Sequence, residues 1–172
     1  MNRRLRLACA AVLVATIVGS VSSCGDASQK VADAVSNDDE KAQEALDDYR
    51  DEMTPLGERE EELLERYASV QGANYTTDRA MYRVVSTDLP EWVQLSDDFQ
   101  QIEVEDDELA DIHDVYIEAT AARIRGFTLL LSGLENFDRR AIADANDAIG
   151  EGNQLVREWG QDMDEFVEDV EG

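Results

Sequence analysis

From residue 46 onward the chain repeats one arrangement four times: a seam position every third or fourth residue, mostly apolar, with charged residues in between. The first run is Leu46, Tyr49, Met53, Leu56, Glu60, Leu63, Tyr67 and Val70. Met81, Val85, Asp88, Trp92, Leu95, Phe99 and Ile102 form the second run. Leu109, Ile112, Tyr116, Ala119, Arg123, Phe127, Leu130 and Leu134 form the third. The fourth carries Ile142, Ala145, Ile149, Gly152, Val156, Trp159, Met163, Phe166 and Val170. Steps alternating between three and four hold these positions on one stripe of an α-helix, the pattern of a bundle seam.

Local signals divide the runs. Ser36 with Asp39 offers a capping-box-like start, so the first helix is expected over 37–71. Pro55 lies inside it, but the apolar phase continues past the proline, which predicts one kinked helix rather than two. "GANYTT" makes the first loop, and Thr77 caps the second helix. Pro90 kinks or restarts that helix, with Asp88 as the cap of its second half. Asp106 or Asp107 caps the third helix, and "ENFD" turns the chain into the fourth with Asp138 as cap. Helices of this length joined by short loops must lie antiparallel to their neighbours. The expected fold is all-α, an antiparallel up-down-up-down four-helix bundle of long kinked helices.

The N-terminus departs from this pattern. Arg3, Arg4 and Arg6 precede an apolar run from Leu7 to Val21, 15 residues long. That is shorter than the ~20 residues of a spanning helix and has the layout of a cleaved signal peptide. Val21-Ser22-Ser23-Cys24 resembles the lipobox of prokaryotic lipoproteins. The resemblance implies cleavage before Cys24 and a diacylglyceryl group on its sulfur. Residues 1–23 are then the signal peptide, 24–36 a lipidated tether and 37–172 the bundle. Two acyl chains, at ~0.8 kcal/mol per buried methylene, anchor a protein without a transmembrane helix. The expected location is extracytoplasmic, at a membrane surface. Cys9 leaves with the signal and Cys24 is consumed, so the mature chain has no thiol for a disulfide, a zinc site or a nucleophile.

Charge narrows the partners. From Cys24 on there are 12 basic against 40 acidic side chains, a net −28. Such a surface repels phosphate backbones, so nucleic acid is not an expected partner, and it stands off anionic headgroups. Lysine is limited to Lys30 and Lys41, a bias resembling the proteins of halophiles or of GC-rich genomes. Self-repulsion at this charge weakens the compact state in dilute buffer. The melting temperature is therefore expected to climb as salt goes from low to molar, and a flat response in a thermal scan would contradict this.

Candidate chemistry is sparse. His113 is the single histidine, flanked by Asp111 and Asp114, and is expected at a helix surface or seam edge. Two Glu-x-x-His pairs of a diiron bundle, zinc spacings, phosphate loops and nucleophile elbows are not found, so no catalytic residue, metal or cofactor is assigned. The polar intruders of the seams are more informative. With turns centred near 74, 104–105 and 136–137, Glu60, Asp88 and Arg123 fall near one level, beside Gly152. Two readings follow. Arg123 bridges Glu60 and Asp88 as a register-fixing ion layer. Alternatively, the three line a small-solute cavity walled by Trp92 and Tyr116, with Arg123 facing an anion. Asn74-Tyr75-Thr76 is a candidate glycosylation sequon on the first loop.

"TPLGEREEELLERY", residues 54–67, resembles a stretch in the first long helix of cell-wall-binding lipoproteins of Gram-positive bacteria. It implies an envelope association with an envelope protein or cell-wall partner, and assigns no site residue. The expected function is a noncatalytic, lipid-anchored interaction or accessory module of the cell envelope. The alternative is a solute-binding or sensing bundle built on the charged layer.

Overall fold

The computed structural model describes residues 26–171, with side chains from Glu40 onward. The expected signal peptide and Cys24 lie outside the described residues. Among the described residues four helices make up the fold: α1 (Asp26–Ala68), α2 (Asp78–Phe99), α3 (Asp107–Asn136) and α4 (Arg139–Glu171). A single 3-10 turn, Gly72–Asn74, interrupts the α1–α2 loop. They pack as the expected antiparallel up-down-up-down bundle. Pairs across successive helices run in opposite directions: Arg59 with Asp98 and Arg66 with Glu91, Trp92 with Phe127 and Ser96 with Thr120, Gly126 with Ile149 and Gly133 with Ile142, and Arg50 with Glu171 closes α1 onto α4.

Local chemistry explains most boundaries. Thr77 accepts the Ala80 N–H at 3.1 Å to cap α2, and Asp106 accepts the Leu109 N–H at 2.9 Å to cap α3. Asp138 does the same for α4 through Arg140 and Ala141. Phe137 closes α3 in the left-handed conformation, φ 55°, with the Asp138 N–H returning to the Gly133 carbonyl at 2.8 Å. Two expectations are corrected. α1 begins at Asp26 rather than near 37, so Ser36 starts nothing and the helix runs back through residues 26–36. Pro55 lies inside one helix, as expected, and Pro90 does not restart α2; both rings are on the exposed face. Asp88 therefore caps nothing, because its backbone is mid-helix.

The seams become the core. Leu46, Leu63, Phe99, Leu109 and Ala145 are fully shielded, and Trp92, Leu95, Phe127 and Leu130 nearly so. Aromatic rings meet edge to face through the interior, Tyr67 on Phe127 at 5.0 Å and Phe99 on Tyr116 at 4.9 Å. The α3–α4 pair is the closest of the four, because small residues repeat on both sides of it. A Cβ on Gly126 would lie 2.5 Å from Ile149 Cγ1, and one on Gly133 2.7 Å from Ile142 Cγ1. A Cβ on Gly152 would press 2.7 Å from the Ala119 carbonyl oxygen. Glycine at these positions lets the backbones approach to a distance any side chain would forbid.

Candidate functional site

The three polar seam residues do not form one layer. Arg123 and Glu60 meet in the bundle interior, Nη1 donating to Glu60 Oε1, and both residues are buried. The other carboxylate oxygen, Oε2, accepts the Tyr116 hydroxyl at 2.5 Å. Arg123 Nε and Nη2 both donate to Asn153 Oδ1, at 3.2 and 3.1 Å. Gly152 makes this arrangement reachable. Its missing side chain brings α4 against Arg123, where a Cβ would stand 2.8 Å from Arg123 Cγ, and the next residue is Asn153. All three nitrogens of the guanidinium thus find acceptors inside the protein, and both carboxylate oxygens of Glu60 are taken.

Asp88 lies elsewhere, so the expected bridge from Arg123 is corrected. It pairs with Arg66 of α1, whose Nε stands 3.1 Å from Oδ1 and whose Nη2 reaches Glu91 at 2.5 Å. Its Oδ2 is shielded from solvent and has no hydrogen-bond partner. The reason is axial: α2 is slid along α1 by about two turns relative to the expected register, which places Arg66 rather than Glu60 opposite Asp88. Trp92 moves with it and packs beside Asp88, Tyr67 and Phe127, while Tyr116 stays at the Glu60 level. The space at Asp88 is too small to admit a water molecule.

A second polar cluster, invisible as such in the sequence, lies nearer the other end. Tyr49 Oη is 3.1 Å from His113 Nδ1, and His113 Nε2 is 3.0 Å from the Phe99 carbonyl oxygen. Because a carbonyl only accepts, Nε2 carries the proton, Nδ1 accepts from Tyr49, and Tyr49 in turn accepts the Trp159 indole N–H at 3.3 Å. His113 is buried, which corrects its expected place at a surface or seam edge. Its flanking Asp111 and Asp114 point outward. Tyr116 and Trp159, rings 4.8 Å apart, join the two clusters. Tyr49 and Trp159 are legible in the sequence as seam positions, but for His113 the one signal is that it adjoins the seam residue Ile112.

Burial pushes the Tyr49 hydroxyl up from its ordinary value near 10 to about 12. Burial, and then the negative charge of Glu60, pushes Tyr116 up further still. Both groups are neutral acids whose proton is held more tightly in the fold than in the unfolded chain. The Tyr49 contribution is whole below pH 10 and is lost as pH rises through about 12, and that of Tyr116 goes at still higher pH. Base-induced unfolding is expected in that window, with tyrosinate absorbance from these two rings appearing together with loss of helical signal. Ionisation of all the tyrosines ahead of unfolding would contradict it.

Asn74 is exposed at the end of the 3-10 turn, its Nδ2 donating to the Ala68 carbonyl at 3.0 Å. Among the described residues no helix is long and apolar enough to cross a membrane. No group of three or more metal-ligating side chains is found among them either. Comparison of the chain with protein families, with curated proteins and with solved structures finds no match.

Proposed function

We propose that this protein is a noncatalytic helical module, held at the outer side of a membrane by acyl chains on Cys24, with an interaction or accessory role at the cell envelope. The observation that carries the reading is the position of Val21-Ser22-Ser23-Cys24, at the end of the apolar run and two residues before α1 begins. Cys24 stands two residues before α1 in the sequence, and the membrane is the protein's first partner. An envelope protein or a cell-wall component is the second.

The interior supports a structural rather than a chemical role. Arg123, Glu60, Tyr116 and Asn153 hold one another, as do His113, Tyr49, Trp159 and the Phe99 carbonyl. Within these two clusters each group that could act as an acid, base or anion anchor already has its partner. The solute-binding alternative draws no support from this geometry, since Arg123 is neutralised by Glu60 and Asp88 stands apart.

The test is the mass of the native protein recovered from membranes. A chain starting at Cys24 and heavier by a diacylglyceryl group is expected, and Cys24→Ala should leave the membrane fraction. A soluble, unmodified chain starting at Met1 would remove the basis of the proposal.

A further inference from the structure

The unpaired positive charge of this acidic chain collects at one end of the bundle. Arg79, Arg83, Arg139, Arg140 and Arg157 are exposed and form no ion pair among the described residues. All but Arg157 stand where α2 begins and α3 passes into α4. Their common level follows from contacts lower down. Ser96 meets Thr120, and Arg79 and Phe137 are each 17 residues further on, along α2 and α3, which is about 25 Å. Gly133 meets Ile142, which brings Arg139 and Arg140 to within a turn of the same level. The first helix stops short of it. Tyr67, next to its last residue, packs on Phe127, about 15 Å below Phe137. The carboxylates of α1 therefore lie more than a Debye length of ~8 Å from this tip. Asp78, Glu135 and Asp138 share the tip, and Asp144 lies a turn further in. Asp78 accepts the Tyr75 hydroxyl at 2.6 Å and Asp138 caps α4. Four arginines against three carboxylates leave the tip near neutral, where the chain from Cys24 on has 12 basic against 40 acidic side chains.

Phe137 is the apex. It is 85% exposed, and its φ of 55° is the left-handed conformation that closes α3, a position that glycine or asparagine takes more easily. The chain keeps a ring there although the ring packs on nothing inside the bundle. Tyr82, between Arg79 and Arg83 on α2, is a second exposed aromatic. Aromatic rings set among arginines are the chemistry of the headgroup layer of a bilayer. The layout favours a plane over a small anion. Arg79 and Arg83 belong to α2 and Arg139 and Arg140 to α4, which stand diagonally across the bundle. Set apart but level, the two pairs match phosphates spread over a surface. Phe137 stands on a convex turn, and a lipid surface admits it without having to supply a pocket.

We propose that this end of the bundle docks on an anionic lipid surface, the arginines on lipid phosphates and Phe137 in the headgroup layer. Because α1 runs toward the tip, its N-terminus leaves from the other end. Where Cys24 carries acyl chains, the surface met by the tip belongs to a second, facing membrane. The docking itself does not rest on that anchor.

The test holds the intact chain by its N-terminus in phosphatidylcholine nanodiscs and passes it over supported bilayers of phosphatidylcholine, with and without phosphatidylglycerol. Capture by the anionic bilayer alone is expected. Phe137→Gly should weaken it at least ~10-fold while the melting temperature holds or rises, since glycine adopts this φ without strain. Arg139→Glu with Arg140→Glu should weaken it as much. Arg157→Glu, the same change on exposed α4 surface away from the tip, should leave it unchanged. A chain that does not enter the nanodiscs speaks against the anchor, and is added to the bilayers directly for the same comparison. No preference for the anionic bilayer overturns the proposal, as does binding to immobilised polyglutamate in its place, which would give the tip to an acidic polypeptide. Indifference to Phe137→Gly, or equal weakening by Arg157→Glu, also overturns it, since bulk charge would then explain the capture.

Discussion

Arg123→Ala is expected to lower the unfolding free energy by about 3–5 kcal/mol, because it leaves the buried Glu60 carboxylate without its counter-charge. The Tyr116 hydroxyl remains on Glu60 Oε2 and offsets part of the loss, while Asn153 reverts to solvent contact. A chain of this kind holds only ~5–15 kcal/mol in total, so the variant should melt far earlier or populate unfolded chain at room temperature. Replacing both partners, Glu60→Gln with Arg123→Met, removes the uncompensated charge and should recover most of the loss. Denaturant midpoints at constant slope report the difference. If the single substitution costs no more than the double, the pair is not the desolvated ion pair its geometry describes. The same comparison separates stability from register: a double variant that is stable but no longer uniquely packed would show that the charges select the alignment.

The second large effect is a change of sign between neighbouring positions of α4. Ordinarily Gly→Ala within a helix stabilises by about 1 kcal/mol. That is the expectation for Gly150→Ala, where an added Cβ meets nothing within 4 Å. Two residues on, Gly152→Ala should destabilise by about 1–3 kcal/mol despite the same gain in propensity. Its Cβ would lie 2.7 Å from the Ala119 carbonyl oxygen and 3.2 Å from the Arg123 backbone nitrogen, so α3 itself must move. A displaced α3 also carries Arg123 away from Asn153. Thermal melts of the two variants side by side suffice, and equal stabilisation of both would mean that α3 and α4 are not in the close contact described.

The origin of these contacts shows what a one-dimensional reading can reach. Every position of the third seam is buried, from Leu109 to Leu134, because a 3.6-residue helix puts such positions on one side whatever surrounds it. Gly152 was legible as a seam member, and its closeness to Arg123 followed from the two-residue turn at Phe137 and Asp138, which leaves no axial slack. The longer connections are different. Residues 69–77 and 100–106 carry α2 about two turns further along its neighbours than a symmetric turn would. Asp88 was therefore matched with the wrong partner. The Glu60–Arg123 pair survived because the two displacements oppose each other: α1 and α3 run parallel, and sliding the helix between them leaves their mutual level unchanged.

Helix type, helix number, the inward stripe and the capping residues Thr77, Asp106 and Asp138 are local properties, decided within a turn or two of chain. Axial register, the choice of Arg66 for Asp88, and the joining of Tyr49, His113 and Trp159 are decided by how three loops set four rods against one another. Nothing in the spacing of residues along a helix records the height of its neighbour, so those contacts exist only once the bundle has closed.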